Sequence, residues 1–160
     1  MKRVVILGPG ACGKSTFARR LGEITHLPVI ELDKIFWSTG LVATPRHEWE
    51  GIQRALAERS QWIVDGDLGP YDAVEVRLCA ADTVVFLDFS VFRCAWRALR
   101  RSDERIDFWL WLLRYRRRSR PLLIRAITEH AAKAKLYVIR TPAALTRFTM
   151  EIALNLPRKM

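Results

Sequence analysis

The chain has 160 residues, half of them hydrophobic, so it is long enough to bury one sizeable core and too apolar to be disordered. Its three cysteines form no C-x-x-C pair, which argues against a disulfide framework or a zinc site and predicts a reducing, cytoplasmic environment. The longest apolar run, Phe108–Leu113, is far too short to span a bilayer, and a strand begins almost at once, so no signal peptide is expected.

A phosphate-binding loop is the first feature along the chain. The β-branched run 4–7 is followed by GPGACGKS at residues 8–15, which matches the pattern G-x-x-x-x-G-K-[ST], and apolar residues at helical spacing come next. Glycines let the backbone N–H groups approach an anion, Lys14 can reach the β- and γ-phosphates, and Ser15 can place its hydroxyl on Mg²⁺. The residues predicted to hold the phosphates of ATP are Gly8, Pro9, Gly10, Ala11, Cys12, Gly13, Lys14, Ser15 and Thr16.

Strands and helices are predicted to alternate along the rest of the chain. Strands are expected at 3–7, 29–32, 62–66, 83–88 and 136–139, and helices at 14–25, from Thr44 as N-cap residue onward, 72–79, 91–101, 107–132 with a break near Pro121, and 142–154. This order predicts an α/β fold in which helices cover both faces of a five-stranded parallel sheet. No linker or repeat divides the chain, so residues 1–160 are expected to form a single domain.

Three predicted strands end in an aspartate: Asp33, Asp65 and Asp88. In open α/β sheets ligands bind outside the carboxyl ends of the strands, where the phosphate loop also lies. A single aspartate there is often only a turn or cap residue. Because Mg²⁺ and a hydroxyl acceptor both require carboxylates, we expect at least one of the three to act directly.

The positive charge is concentrated in one segment. Eleven arginines and three acidic residues lie between Arg93 and Arg125, a net +8 out of +10 for the whole chain. Such a segment clamps phosphates, binds nucleic acid, or forms a solvated face. The aromatic run Phe108–Leu113 within it also has three interpretations: a lid helix packed on the core or a second subunit, an interfacial membrane contact, or stacking on single-stranded nucleic acid.

Several segments together resemble a known family. GPGACGKSTFARRLGE, VIELDKIFW, TPRHEWE, WIVDGD, VRLCAADTVVFLDF and YRRRSRP resemble, in order and spacing, the small P-loop proteins of the DNA topology modulation (FlaR-type) family, which are similar to adenylate kinase. The resemblance implies a three-layer P-loop NTPase fold in which strand three, and not strand four, lies beside the P-loop strand. It also implies that Asp65, ahead of Asp88, holds Mg²⁺ through water, and that Asp33 orients or deprotonates the acceptor.

The resemblance further implies an arginine-rich lid at about residues 97–121. Arg97 and Arg101, one helical turn apart, and Arg118 are the lid residues expected to neutralise the transferred phosphoryl group. The stretch SDERIDFWLWLL between Arg101 and Tyr115 is shorter than in typical members. Arg46 and Arg77 are interpreted either as contacts to a substrate anion or as solvated surface residues.

The sequence therefore predicts an adenylate kinase-like, ATP-dependent phosphotransferase that uses Mg²⁺ and acts on a nucleotide or another small hydroxyl compound. One alternative is a nucleic-acid-associated NTPase or nucleotide-gated binding protein whose basic segment contacts phosphate backbones. Another is a degenerate kinase that binds nucleotide without transferring phosphate.

Overall fold

Alternating strands and helices make up the computed structural model, which describes residues 1–38, 42–67, 72–100 and 106–155. In chain order they are β1 (Arg3–Leu7), α1 (Lys14–Thr25), β2 (Val29–Glu31), α2 (Leu32–Phe36), β3 (Trp37–Ser38), β4 (Val42–Ala43), α3 (Arg46–Ala57), β5 (Trp62–Asp65), α4 (Val74–Ala80), β6 (Thr83–Leu87), α5 (Val91–Leu99), α6 (Ile106–Tyr115), α7 (Ser119–His130), β7 (Lys135–Ile139) and α8 (Pro142–Asn155). None of these helices, within the described ranges, is long and apolar enough to cross a membrane.

The main sheet has five parallel strands in the order β2-β5-β1-β6-β7, which confirms the predicted sheet. Strand three of the prediction, β5, lies beside β1 as the resemblance implied. Strand four, β6, also pairs with β1, so the expectation that it would not do so was wrong. Val5 of β1 lies opposite Val64 on one side and Val84 on the other, which makes the strand before the phosphate loop the centre of the sheet.

Two hydrophobic cores cover the two faces of the sheet. Along β1, Val5 and Leu7 point into one core and Val4 and Ile6 into the other, as the period of two requires. The first core is closed by α3, α4 and α7, and the second by α1, α5 and α8. These are the three layers of the predicted α/β fold.

Strand two is one residue shorter than predicted because a helix begins at Leu32. Leu32 and Phe36 are both buried, and residues four apart share one side of a helix. Asp33 therefore lies in the first turn of α2 and does not end a strand. The predicted irregular stretch after it contains β3 and β4, which form an antiparallel pair.

Two helix ends also differ from the sequence pattern. Pro45, and not Thr44, is the N-cap residue of α3, and the Thr44 hydroxyl donates to the carbonyl of Phe36 at 2.6 Å. The arginine-rich helix breaks at 116–118, before Pro121. Pro121 lies in the first turn of α7, where its missing N–H has no helical partner to lose.

Candidate functional site

The phosphate loop runs from the end of β1 to the start of α1. Gly8 has a φ of 149°, and a Cβ at this position would lie 2.6 Å from the carbonyl oxygen of Leu87, so only glycine fits. Cys12 is buried beneath the loop, and burial raises the pKa of its thiol. Cys12 is thus a packing residue, and the loop is fixed against the carboxyl ends of the two central strands.

The Lys14 ammonium group lies inside the loop. Its Nζ donates to the carbonyl oxygens of Gly8 at 2.9 Å and Pro9 at 3.0 Å. Burial lowers the pKa of this group, whereas Cys12 first and then Asp65, Asp67 and Asp33 raise it, and the net shift of the Lys14 pKa is upward. The lysine is therefore cationic at the position where the loop would bind phosphate.

Ser15 and Asp65 meet beside Lys14. The parallel pairing of β1 with β5 places Asp65 opposite Ile6, and the Ser15 hydroxyl lies near enough to its carboxylate to lower the pKa of that group. Asp65 is only 4% exposed, and burial raises the pKa of its carboxyl group. Its Oδ1 is buried with no hydrogen-bond partner in the described part of the chain. An orphaned carboxylate oxygen next to a hydroxyl suits a Mg²⁺ ion bound through water.

Within the described ranges, no group of three or more histidine, cysteine, aspartate or glutamate residues forms a metal cage. Magnesium in phosphoryl-transfer sites is typically held by only one or two protein groups, with substrate phosphates and water completing the octahedron. Ser15 and Asp65 are therefore a sufficient protein contribution to such a site.

Asp33 faces the same edge from α2. Its side chain is accessible to solvent, yet the surrounding protein partly desolvates it, and this raises the pKa of its carboxyl group. The nearby Lys14 opposes that shift, whereas Asp65 adds to it. The raised pKa moves Asp33 toward the range in which a carboxylate accepts a proton from a hydroxyl group.

The predicted lid arginines do not converge at one point. The Arg97 guanidinium lies against the loop, since a Cβ on Gly13 would be 3.1 Å from its Nη2. Arg118 is exposed at the start of α7 and lines a separate cavity with Trp111. Arg101 lies outside the described residues. Arg97 is therefore the lid arginine that the structure brings to the phosphate loop.

Arg46 and Arg77 both pair with acidic residues of the protein. Arg46 is exposed and pairs through Nε with Glu50 at 3.1 Å on the surface of α3. Arg77 is 2% exposed and forms two hydrogen bonds to Asp72, at 2.6 and 2.7 Å, and another to the carbonyl of Gly66. A guanidinium that is buried and paired in this way holds the loop after β5 and does not offer a free edge to a substrate anion.

Asp88, the second candidate for the metal, is committed to an ion pair. Its carboxylate accepts two hydrogen bonds from Arg120, both at 2.8 Å, and Arg140 lies 3.7 Å away. The Arg120 guanidinium holds the pKa of this carboxyl group below its usual range. Asp88 does not cap α5 either, because Ser90 does so. It instead joins the end of β6 to the start of α7.

Helix α6 lies directly on the phosphate loop. A Cβ on Gly10 would be 2.5 Å from Phe108 Cε2 and 2.7 Å from Trp111 Cζ3. On the same helix Leu112 and Tyr115 are buried in opposite cores, so α6 crosses the carboxyl edge of the sheet. The aromatic run is thus a helix packed on the core, the first of its three interpretations. Sequence reasoning missed its contact with the loop, because Gly10 was interpreted only as a residue that lets the backbone approach phosphate.

Two cavities flank the loop. One, of about 140 Å³, lies between α1, α5 and α8 and is lined by Thr16, Arg97 and Thr149 among others. The other, of about 410 Å³, lies between the segment after β5 and the helices α6 and α7, and its walls include Asp67, Trp111, Arg118, Leu122 and Leu123. The larger cavity falls within the range of small-molecule sites, about 300–1,000 Å³.

No model of a protein family matches this sequence, and no curated protein matches it. Solved structures do match over almost the whole chain. A shikimate kinase from Acinetobacter baumannii in complex with shikimate is 18% identical, covers 98% of this chain and 96% of its own, and has a TM-score of 0.66. A gluconokinase from Sinorhizobium meliloti is 18% identical, with 98% of both chains covered and a TM-score of 0.55. The YorR protein of Bacillus subtilis in complex with phosphorylated GDP is 17% identical, with 94% and 93% covered and a TM-score of 0.56. At these identities the likeness concerns the fold, and the chain has the fold of the small P-loop kinases.

Proposed function

We propose that this protein is a Mg-ATP-dependent phosphotransferase that acts on a nucleotide or another small hydroxyl compound. The observation that carries the proposal is the meeting of Lys14, Ser15 and Asp65 at the carboxyl edge of the sheet, with Asp33 within electrostatic reach. The adenylate kinase-like class and the likeness to topology modulation proteins form the finer part of the proposal.

The donor half of the site consists of the loop and its immediate neighbours. Lys14 exchanges its contacts with the Gly8 and Pro9 carbonyls for the β- and γ-phosphate oxygens of ATP. Ser15 and Asp65 are the residues that would hold Mg²⁺, which would neutralise charge on the phosphate oxygens. Arg97, beside Gly13, is positioned to stabilise the charge that develops during transfer.

The acceptor half combines Asp33 with the larger cavity, whose wall residues Asp67 and Asp72 lie within electrostatic reach of Asp33. Asp33 orients the acceptor hydroxyl and takes its proton as the oxygen attacks the γ-phosphorus and the bond to ADP breaks. Trp111 and Leu122 provide an apolar wall, and Arg118 provides a cation for an acidic group on the acceptor. Asp67 and Asp72 also line the cavity, and Asp72 is paired with Arg77, so the lining suits a compact acceptor with an apolar ring or chain.

An ADP-release screen with Mg-ATP tests the proposal. Its acceptors are nucleoside monophosphates and small hydroxyl metabolites, and shikimate and gluconate are included because two of the similar structures are named for them. Lys14→Ala should abolish turnover while circular dichroism shows an intact fold. Lys133→Ala, an exposed lysine after α7, is the matched control and should keep full activity. Full activity of the Lys14 variant would contradict the proposal.

A further inference from the structure

Helix α5 presents an apolar stripe to solvent. Phe92, Trp96 and Leu99 are 88%, 62% and 63% exposed, and their spacing of four and three residues places them on one side of the helix. The opposite side is packed, since Cys94 and Ala98 are buried. Large apolar side chains exposed as a group usually mark an interaction surface, whereas single ones do not.

Two arginines border this stripe. Arg93 and Arg100 are exposed on α5 or directly after it, and the Arg100 guanidinium lies 5.9 Å from the centre of the Trp96 ring. No acidic residue occurs in the sequence from 91 to 100. The surface therefore combines an aromatic and aliphatic centre with a positively charged border.

We propose that this face of α5, defined by Phe92, Trp96, Leu99, Arg93 and Arg100, binds the surface of an anionic lipid bilayer. Aromatic and aliphatic side chains on one face with arginines beside them are the composition of helices that lie in the membrane interface. The excess of positive charge complements anionic headgroups.

Other occupants fit this surface less well. Two copies of the chain packed through residues 91–100 would bring like charges together, because that segment contains arginines and no acidic residue. Single-stranded nucleic acid binds in grooves where bases stack between side chains. Phe92, Trp96 and Leu99 protrude from the helix and line neither cavity beside the phosphate loop.

The proposed surface lies close to the nucleotide site. Arg97, on the same helix, turns away from the stripe and reaches Gly13. A helix with its side chains is about 10 Å across, so binding through α5 would hold the phosphate loop about that far from the headgroups. The surface itself contains no residue assigned to the phosphotransferase reaction, so the two proposals fail independently.

Co-sedimentation of the full chain with vesicles tests the proposal. Vesicles of phosphatidylcholine and phosphatidylglycerol in equal parts should bind the protein, and vesicles of phosphatidylcholine alone should bind it much more weakly. Trp96→Ala should lower the partition coefficient for the anionic vesicles by about ten- to hundredfold, as expected for losing an aromatic side chain that becomes buried in the bilayer. Arg93→Glu should lower it by at least about fivefold.

Matched variants on other surfaces separate the stripe from general effects. Leu154→Ala, at an 84% exposed residue of α8, and Arg59→Glu, at an exposed arginine after α3, should leave vesicle binding unchanged. The proposal is wrong if the wild type binds neither vesicle, or if Trp96→Ala binds as well as the wild type. It is also overturned if the wild type binds single-stranded DNA or forms a concentration-dependent dimer, and Trp96→Ala abolishes that property and not vesicle binding.

Discussion

Replacing Gly10 by alanine tests the packing of α6 on the phosphate loop. Gly10 does not have a positive φ, so alanine meets no backbone strain there. The new Cβ would lie 2.5 Å from Phe108 and 2.7 Å from Trp111, whereas carbon atoms pack at about 3.5–4.0 Å. Both rings belong to a helix that is anchored in the two cores, so they cannot move away freely. We expect Gly10→Ala to lower the free energy of unfolding by about 1–3 kcal/mol.

Urea unfolding followed by circular dichroism measures this change, with Gly51→Ala as the matched control. Gly51 lies within α3, and a Cβ there meets nothing within 4 Å, so alanine should stabilise the protein by about 0.5–1 kcal/mol. The two glycine substitutions should thus change the free energy of unfolding in opposite directions. Phe108→Leu should recover part of the loss in the Gly10→Ala background. A neutral Gly10→Ala, or strictly additive effects in the double-mutant cycle, would show that α6 does not rest on the loop.

Three further variants test the groups around the loop. Asp88→Asn should lower the free energy of unfolding by about 1–3 kcal/mol at neutral pH. Pairing with Arg120 lowers the pKa of Asp88, so the wild type should lose its extra stability over the variant as the pH falls below about 4 in acid unfolding. The pairing would be contradicted if the free energies of unfolding of the variant and the wild type differed by the same amount at every pH. Arg97→Ala should lower kcat in steady-state assays by at least about a hundredfold with little change in stability. Arg97→Lys should retain only part of the wild-type kcat. An unchanged kcat in Arg97→Ala would remove Arg97 from the mechanism. Asp33→Asn should lower kcat and remove the acidic limb of its pH profile, since the raised pKa of Asp33 governs that limb; retention of the limb would assign it to another group.

Local patterns in the sequence were sufficient to predict the sheet and the loop between β1 and α1. Side chains alternate in direction along β1, so Val4 and Val5 lie in opposite cores. Four apolar residues in a row therefore predict a strand that is covered on both faces. The phosphate loop could be predicted because its chemistry depends on the backbone and on two adjacent side chains, Lys14 and Ser15. Both features are determined by residues close together in the chain.

The partners of charged side chains could not be predicted in the same way. Arg77 is buried with Asp72 and Gln53, and Asp88 pairs with Arg120, which lies 32 residues later. Such choices depend on how α3, α4 and α7 pack and not on local spacing. The helical turn at Leu32, which moved Asp33 off the strand, was likewise decided by burial of Leu32 and Phe36 against the core.

The packing of α6 also bears on the short lid segment. A lid contributes two things to phosphoryl transfer: it excludes water from the reacting groups, and it brings arginine to the developing charge. In this chain Phe108 and Trp111 already lie on the loop at Gly10, and Arg97 already lies beside Gly13. In the proposed reaction both contributions would come from α5 and α6, which are anchored in the cores. The shortness of the stretch between Arg101 and Tyr115 is therefore compatible with a complete phosphotransferase.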